Sequence, residues 1–173
     1  MAQIKNFKLV SEKLNITLKT ISENDIEKIR VWKNEHRFSF FYKKIITHEE
    51  QLKWFKEYLS RNNDLIFIIS YLGKDVGCIA FRELNNIIDI YNVILGDKKF
   101  GGRGIMSIAN SIMCSYIIDN FNKEITVKVL KTNSALKWYL KNNYSIIDEI
   151  DDYILLKLDT NNFNKVYYKV ILG

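Results

Sequence analysis

Residues 97–106, DKKFGGRGIM, join a strand-like run to an amphipathic helix through three closely spaced glycines. Glycines let backbone amides approach a ligand closely. The start of a helix adds unpaired N–H groups and the positive end of the helix dipole, which together favour a phosphate. Arg103 and the neighbouring Lys98 and Lys99 add positive charge. The stretch therefore predicts a phosphate-binding loop.

Two common phosphate loops do not fit this spacing. A P-loop ends in Gly-Lys-Ser/Thr, whereas Gly104 is followed by Ile105. A dinucleotide-binding loop anchored on Gly102 and Gly104 needs a third glycine at position 107, which is Ser107. Taken alone, the loop also fits an ordinary glycine-rich turn before a helix. The segments around it must decide between a phosphate-binding loop and an ordinary turn.

The segments on either side of the loop predict strands and helices in a definite order. Three apolar runs precede it, at Leu65 to Tyr71, Val76 to Leu84 and Ile87 to Leu95, with turn residues between them. A helix follows it, because apolar residues recur there at helical period: Ile105, Ile108, Ala109, Ile112 and Tyr116. The chain then predicts a strand over 124–130, a helix over 133–142, strands over 145–150 and 153–158, and room for an edge strand in 161–173.

The amino-terminal part predicts a short strand over 16–18 and two helices. Ser22 with Asp25 three residues later is a capping arrangement that opens the first helix, which runs through Trp32. Thr47 with Glu50 matches the T-x-x-E capping box and opens the second. This second helix is expected over His48 to Leu59, with an apolar stripe formed by Leu52, Phe55 and Leu59.

Composition narrows the class of protein. The chain has 173 residues, of which 47% are hydrophobic, and this suits a single domain over 1–173. The element order predicts an α/β (α+β) arrangement with helices on both faces of one mixed sheet. Cys78 and Cys114 lie apart in apolar segments and are expected to be buried, reduced thiols. Together with His36 and His48 they make no metal-ligand spacing, so no metal site is predicted.

Charge and hydropathy indicate a small-molecule partner. The net charge of +6 is scattered among 20 acidic residues, and no basic run with interleaved aromatics points to nucleic acid. An anionic small ligand accounts for the charge equally well. Residues 1–8 lack the apolar core of a signal peptide, and the apolar run over 65–72 is too short to span a bilayer. The sequence predicts a cytoplasmic protein without membrane contacts.

The order of the parts resembles the GNAT superfamily of N-acetyltransferases, whose coenzyme motif is Arg/Gln-Gly-x-Gly-x-Gly/Ala after the fourth strand. Residues 101–106, GGRGIM, stand at that place. A second match is residues 132–144, TNSALKWYLKNNY, against the family's Asn-x-x-Ala-x-x-x-Tyr-x-x-x-Gly-Phe. Ala135 and Tyr139 align, and Asn133 is shifted by one place. The resemblance implies a central mixed, mostly antiparallel sheet of about seven strands flanked by about four helices.

The resemblance also implies residue roles around acetyl-CoA. Tyr139 is the expected proton donor to the coenzyme sulfur, although a tyrosine on an amphipathic helix also fits a core position. Glu83, Asp89 and Tyr91 lie on central strands and are the candidates for the general base, while strand carboxylates are often only solvated. The expected coenzyme contacts, through backbone amides or side chains, are Val93, Ile94, Leu95, Gly101, Gly102, Arg103, Gly104, Ile105, Met106, Asn133, Lys137 and Tyr139.

The amino-terminal half resembles the branch of the superfamily that N-acetylates nucleotide-linked amino sugars in bacterial surface-glycan and flagellin-sugar (pseudaminic acid type) pathways. That branch carries Trp-Arg-Asn-Glu at the end of the first helix and Ser/Thr-x-Glu-x-x-x-x-Trp-Phe at the start of the second. The chain has WKNE at 32–35 and THEEQLKWF at 47–55. The expected acceptor-binding residues are Trp32, Asn34, Glu35, Trp54 and Tyr91, and for the tryptophans helix packing is an equal alternative.

Other functions remain open on the sequence. The same donor site would serve acetylation of a protein amino terminus, as in the ribosomal-protein branch, or of another small amine. A module that binds acyl-CoA without turnover is a further alternative, against which Tyr139 argues. The resemblance leaves a homodimer open.

Overall fold

The computed structural model of the protein describes residues 5–173. Residues 1–4, half of the stretch from which no signal peptide is predicted, lie outside the described residues. The strands are β1 (Phe7–Ser11), β2 (Ile16–Thr20), β3 (Asp64–Tyr71), β4 (Lys74–Leu84), β5 (Ile87–Leu95), β6 (Glu124–Leu130), β7 (Tyr144–Ile150), β8 (Tyr153–Leu158) and β9 (Lys169–Leu172). The α-helices are α1 (Ile26–Glu35), α2 (His48–Ser60), α3 (Ile105–Asn120) and α4 (Leu136–Lys141).

The strands form a single sheet in the order β7-β8-β6-β5-β4-β3-β2-β1-β9. Every neighbouring pair is antiparallel except β5 and β6, which run parallel and are joined through α3. Parallel neighbours need such a crossover connection, whereas the hairpins of β3, β4 and β5 need only short turns. The predicted mixed, mostly antiparallel sheet is confirmed.

Helices cover both faces of the sheet, as predicted. On β3, the side chains of Leu65, Phe67 and Ile69 belong to the core cluster that contains α3. The alternate residues Ile66 and Ile68 belong to the cluster that contains α1 and α2. All five are completely buried, which is why this central strand is apolar at every position over 65–69 instead of alternating. Both cysteines are free and buried, also as predicted.

The sheet is larger than predicted, with nine strands in place of about seven. The additional strands are β1, which the sequence did not reveal, and β9, which forms in the carboxyl-terminal tail and pairs with β1. Strand β9 lies at the edge of the sheet, within the tail for which an edge strand was left open, and its sequence KVIL has no alternation of apolar and polar residues.

Two helix predictions are wrong in detail. Leu52 and Leu59 are 38% and 54% exposed, so they do not form the buried stripe of α2 with Phe55. The helix instead buries Tyr58, whose hydroxyl accepts a hydrogen bond from the Ile66 amide at 3.2 Å. The last helix, α4, begins at Leu136 and not at residue 133. There the Asn133 side chain accepts from the Ala135 amide at 2.9 Å and holds a turn before the helix.

Within residues 5–173, no helix combines the length and the hydropathy needed to cross a bilayer.

Candidate functional site

A cleft opens in the middle of the sheet, where β5 and β6 separate. Their pairing runs from Ile87 opposite Glu124 to Ile90 opposite Val127 and ends there. Just beyond, β5 has an extra residue relative to β4, and Asn92 takes a left-handed conformation with φ of 49°. Such a bulge bends the strand locally. The resulting cleft has a volume of about 860 Å³, within the range of small-molecule sites.

The glycine loop forms one wall of this cleft. Gly102 and Gly104 both have φ of 72°, a conformation that side-chain-bearing residues rarely adopt. Gly104 caps α3, with its carbonyl accepting from the Ile108 amide at 3.1 Å. The first turn of α3, whose amides have no partners within the helix, therefore begins at the cleft. The loop residues that line the cleft are Gly101, Gly102, Gly104, Ile105 and Met106.

Of the other predicted coenzyme contacts, some line the cleft and some do not. Val93, Leu95 and Asn133 line the cleft, and the side-chain Nδ2 of Asn133 donates to the Ser39 carbonyl at 3.4 Å. The Ile94 side chain is buried on the opposite side, against α1 and α2. Like Ile94, two further residues lie outside the lining: Arg103, whose guanidinium is 5.2 Å from the Phe100 ring, and the exposed Lys137.

Tyr139, on α4, lies at the cleft with 5% of its surface exposed. The rings of Trp138 and Tyr144 pack edge-on against it at centroid distances of 4.9 and 5.3 Å. Burial raises the pKa of Tyr139, and nearby Cys114 and Asp89 raise it further. The hydroxyl therefore keeps its proton at neutral pH and is suited to donate it to an anion in the cleft.

Of the two carboxylates predicted as bases, only Asp89 lines the cleft. It is 3% exposed, and Nε and Nη2 of Arg82 both contact its Oδ2 at 2.8 Å. Glu83 is the next residue along β4 and lies outside the cleft lining. Its carboxylate pairs instead with Lys123 at 2.5 Å. Side chains of successive strand residues point to opposite faces, so Arg82 and Glu83 cannot both reach the cleft.

Most of the predicted acceptor-binding residues stabilise the scaffold behind the cleft. Trp32 packs on Gly96 so closely that a Cβ there would lie 2.1 Å from its ring. Asn34 holds the loop before α2, because its side chain accepts from the Ile46 amide at 2.8 Å and donates to the Ile46 carbonyl at 3.0 Å. Trp54 stacks on Tyr58, and Glu35 is exposed. Only Tyr91 lines the cleft.

Several residues that line the cleft were not predicted from the sequence. Lys33 of α1 lines the cleft with its Nζ 5.6 Å from the centroid of the Phe40 ring. Burial and the nearby Arg82 guanidinium lower the pKa of Lys33. The position of Lys33 beside Trp32 in the WKNE motif was the sequence feature that pointed to it. The aromatic run at 38–42, FSFFY, was also visible and contributes the cleft residues Phe40, Phe41 and Tyr42.

A row of polar residues crosses the sheet beneath the cleft. Asp64 on β3 is opposite Arg82 on β4, which is opposite Asp89 on β5, which is opposite Thr126 on β6. Asp64, Asp89 and Thr126 are each at most 3% exposed. No single segment of sequence contains this row, because three different strand pairings assemble it. Within residues 5–173, no group of three potential metal ligands is present.

No family model matches the chain. A protein of Methanocaldococcus jannaschii, MJ1062, is 25% identical in an alignment of 141 residues that covers 77% of this chain. The chain spans 28% of the length of that relative.

Solved structures resemble most of the chain. FdhC, described as a nucleotide-linked sugar GNAT, superposes with a TM-score of 0.75 at 17% identity over 94% of this chain and 93% of its own. Campylobacter jejuni N-acetyltransferase PseH, solved with acetyl coenzyme A, gives 0.65 at 22% identity over 84% and 99%. RimL, a ribosomal L7/L12 α-N-protein acetyltransferase solved with coenzyme A, gives 0.71 at 13% over 86% and 96%. The chain therefore has the fold of the GNAT N-acetyltransferases.

Proposed function

We propose that the protein is an acetyl-CoA-dependent N-acetyltransferase that transfers an acetyl group to a primary amine by direct attack in a ternary complex. The observation that carries this proposal is the cleft between β5 and β6, because the glycine loop and Tyr139 lie on its walls. The GNAT fold, shared with structures that contain coenzyme A or acetyl-CoA, supports it.

The coenzyme-binding residues fit a long, phosphorylated thioester. Backbone amides over 93–95 have no β6 partner and can pair with the pantetheine arm as an added strand would. The loop over 101–106 and the first turn of α3 can hold the pyrophosphate through backbone amides. Bound acetyl-CoA supplies the activated acetyl group, and one of the strand amides can donate to the carbonyl oxygen as negative charge develops there.

Tyr139 is assigned the protonation of the departing thiolate. Its pKa is raised by burial, so it is protonated when the reaction needs a donor. The Asp89 carboxylate, held by Arg82, lies near Tyr139 and lines the same cleft. These two residues are 50 positions apart in the sequence, and the cleft brings them to the same site.

For the acceptor we favour the amino group of a nucleotide-linked amino sugar. Lys33 and Arg82 both line the cleft, and their positive charge favours an anionic acceptor over a polycationic amine such as spermidine. The resemblance of the WKNE segment and the similarity to FdhC support the same class. A protein amino terminus is the second candidate, favoured by the similarity to RimL.

The test is thiol release from acetyl-CoA against nucleotide-linked 4-amino sugars, an amino-terminal peptide and spermidine. We expect turnover with an amino sugar and a loss of about a hundredfold in kcat for Tyr139→Phe, the usual scale of a general acid. Tyr116→Phe, at a half-buried tyrosine outside the cleft lining, is the matched control and should leave kcat unchanged. Turnover of the peptide alone would exclude the sugar assignment, and tight acetyl-CoA binding without turnover of any amine would favour a non-catalytic module.

A further inference from the structure

The Tyr91 hydroxyl connects the cleft to a buried carboxylate. Tyr91 lines the cleft, and its hydroxyl donates a hydrogen bond to Oδ1 of Asp64. Asp64 is 2% exposed and is not part of the cleft lining. A hydroxyl has one proton to donate. Because Tyr91 gives that proton to Asp64, its oxygen offers only lone pairs to a ligand in the cleft, and an N–H group is the partner that fits.

The second oxygen of Asp64 faces the protein surface. Its Oδ2 accepts from Nη1 of Arg61 at 3.2 Å, and the Arg61 side chain is 39% exposed. Arg61 also lies 3.8 Å from the exposed carboxylate of Glu57. The hydrogen bonds thus run without a gap from the cleft, through Tyr91 and Asp64, to a guanidinium in contact with solvent.

Burial and the negative charge of Asp64 keep Tyr91 protonated. Burial, followed by the negative charge of Asp64, raises the pKa of Tyr91, while the Arg82 guanidinium, 4.8 Å from its ring centroid, opposes this. Tyr91 therefore does not act by forming a phenolate. The titratable and charged groups facing the pair, from every element packed against it, are Lys5 before β1, Tyr58 on α2, Arg61 after α2, Arg82 on β4 and Asp89 on β5.

We propose that Tyr91 and Asp64 form a proton relay that removes the first proton from the ammonium group of the acceptor. As the N–H bond breaks, that proton bonds to Oη of Tyr91, and the original hydroxyl proton of Tyr91 moves to Asp64. The products are a neutral amine, an unchanged tyrosine and a neutral Asp64 carboxyl, which releases its proton to solvent beside Arg61. Tyr91 is the residue that touches the substrate, and Asp64 acts through it. The inference rests on the proposed function.

The pH dependence of Asp64→Asn tests the relay. Asparagine preserves the shape and can accept the Tyr91 hydrogen bond, but it cannot take up a proton. We expect kcat/KM to fall about a hundredfold at neutral pH. It should then recover about tenfold per pH unit towards the pKa of the acceptor amine, above which the amine needs no base. Tyr91→Phe should give the same profile, and Glu57→Gln, beside Arg61 but outside the relay, should keep the parent profile.

A purely structural role for Asp64 would lower activity equally at every pH, and this result, or a parent-like profile in both variants, would overturn the relay. The hydrogen bond is also measurable without any acceptor. The Tyr91 hydroxyl proton should appear in the proton NMR spectrum of the parent as a slowly exchanging resonance that Tyr91→Phe removes and Asp64→Asn shifts. Its absence would overturn the relay independently of the amine used. An intact resonance in a protein that acetylates no amine would overturn the proposed function instead.

Discussion

At the scale of single residues, the cleft contains charges that cost stability. Lys33 is partly buried beside Arg82, and no carboxylate among residues 5–173 lies within ion-pair distance of its Nζ. A buried ammonium without a counter-ion is unfavourable for folding. Lys28 on the same helix is the contrast, because it pairs with Asp75 at 2.6 Å at the surface. Residues retained at the expense of stability are typical of functional sites.

Lys33→Met should therefore stabilise the protein, by about 1 kcal/mol at neutral pH. The pKa of Lys33 in the folded protein lies below its ordinary value of 10.5. At pH values between the lowered pKa and 10.5, the unfolded chain therefore binds more protons than the folded protein. Parent stability then rises with pH, and the advantage of the variant should shrink as the pH approaches 10.5. Urea unfolding across this range measures it. Lys28→Met, the control, should lose stability by less than about 1 kcal/mol; a destabilised Lys33→Met would contradict the prediction.

At the scale of elements, local signals predicted most of the fold and only part of the site. The hairpins of β3 to β5, the capping box of α2 and the start of α3 follow from turn residues, caps and periodicity. The row from Asp64 to Thr126 does not, because strand register is set by pairing between distant segments. The same limit explains why Trp32 and Trp54 were predicted to bind the acceptor. Their residue type indicated a binding surface, whereas the structure packs both side chains within the protein.

Substitution of a glycine in the loop can separate an effect on folding stability from an effect on acetyl-CoA binding. Gly104 and Gly73 both have positive φ, 72° and 78°, and a Cβ at either would have no atom within 4 Å. Alanine should cost each about 1 kcal/mol of folding stability through the backbone alone. Only Gly104 lies at the cleft, so only Gly104→Ala should also weaken acetyl-CoA binding. Chemical denaturation and titration calorimetry measure the two effects, and equal coenzyme affinities in both variants would argue against the loop as the pyrophosphate site.

At the scale of the whole molecule, the sheet is continuous on one side of the cleft and interrupted on the other. Strand β5 keeps its β4 partners as far as Leu95, but its pairing with β6 ends at Ile90. The cleft thus leaves strand-edge groups unpaired in the centre of a nine-stranded sheet. The separation of these two neighbouring strands leaves the edge of β5 open towards the cleft, which residues of α3 and α4 also line.

Amide hydrogen exchange tests whether acetyl-CoA pairs with this open edge. Coenzyme that pairs with β5 should slow exchange over residues 93–95 by about fivefold, the equivalent of one hydrogen bond worth about 1 kcal/mol. The first turn of α3 should be protected as well, because its free amides would bind phosphate. The outer pair β1 and β9 lies at the far edge of the sheet and should show no local protection. Equal slowing at β5 and at β9 would indicate only global stabilisation by mass action and would place the coenzyme elsewhere.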